Sequence, residues 1–171
     1  MRPQDIVVLL KIIAKGSVEW KMKTLAAELY ISPSEISESL KRSVYAELIM
    51  PDKKQVLKGA LLDFLYYGLK YVFPVRPSSL AKGMPTAHSI PILSQEIDST
   101  EHFVWSFAKG NTRGQSIVPL YPNVPKACQK DQQLYESLAL VDAIRIGRIR
   151  ERKLAFELLE QYLYGKETAA Y

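Results

Sequence analysis

The chain has 171 residues, 47% of them hydrophobic and 24% charged, enough for one ordinary domain with a buried core. That balance excludes general disorder. Lys and Arg number 23 against 18 Asp and Glu, a formal charge of +5 with a pI near 9.2, which points toward a polyanionic partner.

A single cysteine, Cys128, excludes an intramolecular disulfide, and two histidines, His88 and His102, offer little for a metal site. No apolar run approaches the roughly 20 residues of a membrane-spanning helix. The short run at 6–10, bracketed by Asp5 and Lys11, lacks the length and cleavage site of a secretory leader. The expectation is a soluble, cytoplasmic protein with no membrane contact.

Three stretches differ in texture: a helix-rich 1–73, a proline-rich and irregular 74–127, and a helical 128–171. The middle stretch holds seven of the ten prolines. In the first, Ile6, Leu9, Leu10 and Ile13 recur at helical spacing, Pro3 suits a first turn, and Gly16 ends the helix. A second helix fits 24–30, with Leu25, Ala26 and Leu29 on one face. Ser32, Pro33, Ser34 and Glu35 form a helix start in which Ser32 caps, Pro33 costs no hydrogen bond and Glu35 completes a capping box. The third helix turns Ile36, Leu40, Val44 and Leu48 inward. Pro51, Asp52, Lys53 and Lys54 read as a tight turn between short strands. A fourth helix over 59–72 carries Phe64, Tyr66, Tyr67 and Tyr71, whose expected role is core or dimer packing rather than base stacking.

In the middle stretch, β-type runs at 102–107 and 115–120 flank Gly110, Asn111, Arg113 and Gly114, which predicts a hairpin ended by Pro119. Phe103, Val104, Trp105, Phe107, Ile117 and Val118 predict that this stretch packs on the helices. In the last, Leu134, Leu138, Val141, Ile144 and Ile149 mark an apolar stripe continued by Phe156, Leu159 and Leu163. The fold class expected is mainly α with small β elements.

A short helix, a turn of about four residues and a longer capped helix is helix-turn-helix spacing. The segment TLAAELYISPSEISESLKRSVYAELI at 24–49 resembles the winged helix-turn-helix of bacterial transcriptional regulators of the MarR and Lrp groups. The segments GMPTAHSIPIL and LYESLALVDAIRIGRIRERKLA also look like parts of MarR-like regulators. One departure is Tyr30, which stands where the motif usually has a glycine.

The resemblance implies that the third helix enters the major groove of DNA. Ser34, Ser37 and Glu38 would then face base edges beside Glu35, and Lys41 and Arg42 would reach phosphates. Lys53 and Lys54 would act from the wing, and Lys21 and Lys23 from the start of the second helix. It further implies a homodimer, paired through the C-terminal helices and acting as a repressor. Residues 1–60 hold ten Lys or Arg against seven Asp or Glu, a modest excess in support.

Arg145, Arg148 and Arg152, at helical spacing, offer a second phosphate or partner contact, or a solvated face. An antitoxin-like autoregulator or a protein-interaction module, binding a partner through the C-terminal region, stays open. The two glutamates on the third helix favour the module. His88 beside Thr86 and Ser89 lacks a positioned acid and oxyanion site, so no catalytic residue is expected there. Lys126 and Lys130 flank Cys128 and could lower its pKa, but an incidental thiol is the favoured reading and a redox sensor the alternative. No phosphate loop, dinucleotide fingerprint or zinc spacing is present. An enzyme, a cofactor and a metal are therefore not expected.

Overall fold

A computed structural model describes residues 1–165. The chain is mainly helical with one small three-stranded sheet. Helix α1 (Pro3–Lys15) starts on Pro3, and the Asp5 carboxylate accepts from the Arg2 backbone N–H at 2.7 Å. It stops at Gly16, whose φ of 59° suits a residue without Cβ.

Helix α2 (Met22–Leu29) and α3 (Pro33–Tyr45) are joined by Tyr30, Ile31 and Ser32. Leu25, Ala26, Leu29, Ile31, Ile36 and Leu40 are all buried between them and α1. The Ser32 hydroxyl accepts from the Glu35 N–H at 3.2 Å. The expected capping box is only half made, because the Glu35 side chain turns to Arg42 instead. After α3, Ile49 and Val56 form an antiparallel bridge around the turn at 51–54, as the sequence predicts.

Helix α4 (Lys58–Asp63) continues through a π-helical turn, Phe64–Gly68, into α5 (Leu69–Val72). The sheet follows: β1 (Leu80–Pro85), then a 3₁₀ turn at Ala87–Ser89 and α6 (Pro91–Ser94), then β2 (Phe103–Ser106) and β3 (Thr112–Ser116). Helices α7 (Val124–Cys128), α8 (Gln132–Ile146) and α9 (Ile149–Tyr164) complete the chain.

The predicted hairpin is not formed. Strands β2 and β3 run parallel, and both pair antiparallel with β1, which closes a three-stranded barrel. The predicted second strand is also displaced: β3 ends at Ser116, before Val118 and Pro119. Glycines make this closure possible. A Cβ on Gly83 would strike the Trp105 carbonyl, one on Gly110 would strike the Gly83 backbone, and one on Gly114 would strike the His102 carbonyl. Close backbone approach, not a turn, is what these residues supply.

Helix α8 is the central element, buried on every side from Ser137 to Arg145. One apolar core runs from α1 through the sheet to α9. The predicted C-terminal stripe breaks at Gly147, and Ile149 is 84% exposed. α8 is thus spent within the chain from Ser137 to Arg145, and α9 of the two long C-terminal helices keeps an exposed face.

Asp142 on α8 fixes the sheet to this core. It accepts from Thr86 Oγ1 at 2.8 Å, Trp105 Nε1 at 2.6 Å and Arg145 Nη1 at 3.0 Å. Arg145 also donates to the Phe73 and Val118 carbonyls. Asp142→Ala leaves the Arg145 charge buried without its carboxylate, at a cost of about 3–5 kcal/mol. Urea unfolding would show it as a lowered midpoint at unchanged slope.

Candidate nucleic-acid interface

Helical phase divides the α3 side chains into three stripes. Ile36, Ser39, Leu40 and Ser43 face the core. Ser34, Glu38, Lys41 and Tyr45 fall within about 60° of arc at 100° per residue, with Ser37 at their margin. Ser34, Glu38, Lys41 and Tyr45 are exposed and Ser37 is half-buried. Tyr45, 94% exposed, extends this face by a turn. Sequence reasoning stopped at Arg42 and missed it, although the four-residue step from Lys41 was available.

Glu35 and Arg42 form the third stripe, which faces α1. Arg42 donates to both oxygens of the fully buried Asp5, at 3.0 Å from Nε and 2.8 Å from Nη2, and to Glu35 at 2.7 Å. Gln4 and Arg2 also reach Glu35. The hydrogen bond to Asp5, opposed by partial burial, drives the Arg42 pKa further up. Glu35 and Arg42, expected to face DNA, instead lock α3 to α1.

Lys41 and Glu38 make an exposed ion pair at 2.7 Å. That hydrogen bond, with smaller contributions from Arg42 and Lys53, holds the Glu38 carboxyl below its ordinary pKa. Lys53 lines the same cavity as Leu40 of α3. It occupies a left-handed conformation at φ 60°, at the tip of a turn in which Asp52 Oδ1 accepts from the Lys54 N–H at 2.9 Å. A cavity of about 470 Å³, lined by Trp20, Met22, Leu40, Asp52, Lys53 and Lys54 among others, joins the α1–α2 loop, α3 and this turn. Lys21, the N-cap of α2, and Lys23 are exposed at the start of that helix.

Tyr30 takes the left-handed conformation itself, at φ 55° and ψ 39°. Its carbonyl accepts from Tyr121 Oη at 3.1 Å and Asn123 Nδ2 at 3.2 Å. The Lys126 ammonium stands 4.3 Å from its ring centre. The turn before α3 is thus held from outside, by the segment that follows the sheet.

The three arginines of the C-terminal region do not share a face. Arg145 is buried on α8, while Arg148 and Arg152 belong to the cap and first turns of α9. Arg152 donates to the Tyr66 carbonyl at 2.8 Å, and its guanidinium lies 5.2 Å from the Tyr66 ring. Tyr66 packs on Phe156 and Phe64 is half-buried, whereas Tyr67 and Tyr71 are 71% and 72% exposed. Packing within the chain accounts for Phe64 and Tyr66 and leaves Tyr67 and Tyr71 on its surface.

His88 is buried edge-on against Phe103, with Nε2 3.5 Å from Glu151. Burial pushes its pKa down, against the charges of Glu151 and Glu101. Burial also pushes the Cys128 thiol well up, with Asp131 and Asp142 adding to the shift, so the nearby lysines do not activate it. Among the described residues no group of three His, Cys, Asp or Glu could hold a metal, and no helix is long and apolar enough to cross a membrane. Compared with protein-family models, curated proteins and solved structures, the chain has no match.

Two stability outcomes follow from these contacts. Arg42→Ala leaves the Asp5 carboxylate buried without its cation and costs about 2–4 kcal/mol, whereas Lys41→Ala stays within about 0.5 kcal/mol of wild type. Thermal unfolding of the two variants side by side reads the difference.

The second concerns pH. Lys11 bridges Asp131 and Glu28, and Lys15 joins Glu28 at 2.8 Å. Burial opposes ionisation of all three bridged groups. Hydrogen bonds outweigh it, lowering Asp131 and Glu28 from 3.8 and 4.5 and raising Lys11 from 10.5. The carboxylates stabilise fully above their ordinary values and lose that contribution as pH falls through the lowered ones. Lys11 stabilises fully below 10.5 and loses its contribution as pH rises through the raised value. The contribution of this cluster, read as the difference in unfolding temperature between wild type and Lys11→Met, is therefore expected to hold between these limits and to shrink outside them.

Proposed function

We propose that residues 1–73 form a winged helix-turn-helix and that the protein is a sequence-specific, duplex-DNA-binding transcriptional regulator, acting as a homodimeric repressor. The observation that carries this reading is the open face of α3. Ser34, Ser37, Glu38, Lys41 and Tyr45 lie on one side of a well-anchored helix, beside a lysine-tipped turn.

In this reading the N-terminal half of α3 enters the major groove. Serine hydroxyls there meet several base edges, and the Glu38 carboxylate accepts from a cytosine amino group. Lys41 and Tyr45, farther along, reach the sugar–phosphate backbone, and Lys53 and Lys54 contact phosphates or the adjacent minor groove. Lys21 and Lys23 flank the start of α2, where exposed N–H groups also favour phosphate. One recognition helix reads few base pairs, so two-fold pairing supplies the rest of the specificity.

A protein-interaction or antitoxin-like role is the second reading. The exposed Tyr67, Tyr71 and Val72 on the outside of α4–α5, and Ile149 on α9, favour it.

Fluorescence anisotropy with the native upstream duplex and a scrambled duplex separates the two. The regulator binds the native duplex at least about 10³-fold more tightly at physiological salt. Lys41→Ala/Lys53→Ala/Lys54→Ala flattens the slope of log K against log salt by about 2–3. Arg42 is left intact because its loss would unseat α3. Equal, weak binding to both duplexes, unaffected by the substitutions, overturns the regulator.

A further inference from the structure

The small sheet carries a cationic cluster that the fold does not neutralise. Lys82 on β1 and Arg113 on β3 stand directly opposite in the antiparallel register, both exposed. Opposed residues of a pair project to the same side, so two like charges share one face. Lys109 joins them through the backbone. Phe107 donates its N–H to the Lys82 carbonyl at 3.1 Å, and Gly110 packs against Gly83, which brings the intervening loop over β1 beside Lys82.

Among the described residues none of the three cations lies within 4 Å of a carboxylate. The strands and the loop at 106–112 contain no Asp or Glu at all. Elsewhere the cations Lys11, Lys15 and Arg42 are paired with acids. A like-charged cross-strand pair opposes sheet formation, and an anion bound across the face relieves it.

We propose that the face bearing Lys82 and Arg113, with Lys109 on the adjoining loop, binds the phosphodiester backbone of the same duplex that α3 reads. This rests on the DNA-binding reading. The sheet is tied close to α3: Ser116 ends β3, and Tyr121, five residues on, is hydrogen-bonded to the Tyr30 carbonyl at the turn before α3. Five residues span at most about 18 Å, whereas a 20-base-pair duplex runs about 68 Å at 3.4 Å per step. Two cations on one face with a third on the loop beside it suit a run of phosphates, and the contact adds affinity without adding sequence information.

The test is a salt titration of full-length protein on the native upstream duplex and on a scrambled one. The proteins are wild type, Lys82→Gln/Lys109→Gln/Arg113→Gln, and the charge-keeping Lys82→Arg/Arg113→Lys. Removing three phosphate contacts is expected to flatten the slope of log K against log salt by about 2–3, equally on both duplexes. The preference between them is unchanged, and the charge-keeping variant retains the wild-type slope. Unfolding midpoints of the Gln variant at or above wild type show that the sheet is intact; if they fall, Lys82→Gln alone is read, with an expected loss of about 1 in slope. An unchanged slope with the native preference intact overturns this contact and leaves the regulator standing. A flattened slope without any native preference upholds the contact and overturns sequence-specific reading. No binding by wild type to either duplex overturns both.

Discussion

The buried Asp142 carboxylate is the interaction on which the arrangement of the chain depends. It is enclosed by α8 and the sheet and receives three donors, from Thr86, Trp105 and Arg145. Burial pushes its pKa up, while Arg145, Thr86 and Trp105 oppose that shift. Three donors, one of them the Arg145 guanidinium, favour the ionised form against that burial. A carboxylate taken out of water without those partners costs several kcal/mol by order of magnitude. The network therefore forms whole or not at all. Since Arg145 also holds the Phe73 and Val118 carbonyls, the chain's entry to the sheet and its exit are fixed by the same two side chains.

A second constraint connects that centre to the helix pair at the N-terminus. Left-handed backbone at a non-glycine residue costs on the order of 1–2 kcal/mol. At Tyr30 this is offset by two hydrogen bonds to its carbonyl and by the Lys126 ammonium over its ring. A glycine would adopt the same backbone without strain, but it would offer no ring to α7. The tyrosine thus makes the turn before α3 dependent on the segment that leaves the sheet. The ion pairs of Lys11 with Asp131 and Glu28 brace α1, α2 and α8 on the same side.

Legibility in the sequence followed the range of the interactions. Helices α1 to α3, Gly16 as a stop, the Ser32 cap and the turn at 51–54 rest on neighbours within a few residues, and all could be read. The pairing of β2 with β3 could not. Gly110 and Gly114 between two β-type runs read as hairpin residues, whereas their use is to let backbones 27 and 12 residues distant, at Gly83 and His102, come close. Arg145, Arg148 and Arg152 show the same limit. Their spacing fits one helix, but Gly147 divides it, and the burial of Arg145 depends on carbonyls contributed by Phe73 and Val118. At the candidate interface the exposed stripe of α3 was legible from phase, except for Tyr45. The diversion of Arg42 and Glu35 to α1 was not, because it needs the position of Asp5.

Counting charges by segment overstates what is available for a polyanion, because Arg42, Lys11, Lys15 and Arg145 are spent on internal carboxylates. Of the cations left over in the first 60 residues, Lys21, Lys23, Lys41 and Lys54 are exposed and Lys53 is half-buried, and Lys53 and Lys54 line the cavity that Leu40 of α3 also lines. In the proposed DNA-binding reading, Glu38 in the middle of the open α3 face would be a cost to phosphate affinity and a gain to discrimination. A carboxylate repels the backbone and the acceptor-rich edges of guanine, and is satisfied where a base offers an amino donor. Its ion pair with Lys41 is exposed and therefore weak, so the pair can open as Lys41 turns to a phosphate. Under that reading, a helix with affinity alone as its function would have little use for the carboxylate, whereas one that rejects most sequences would have a use for it.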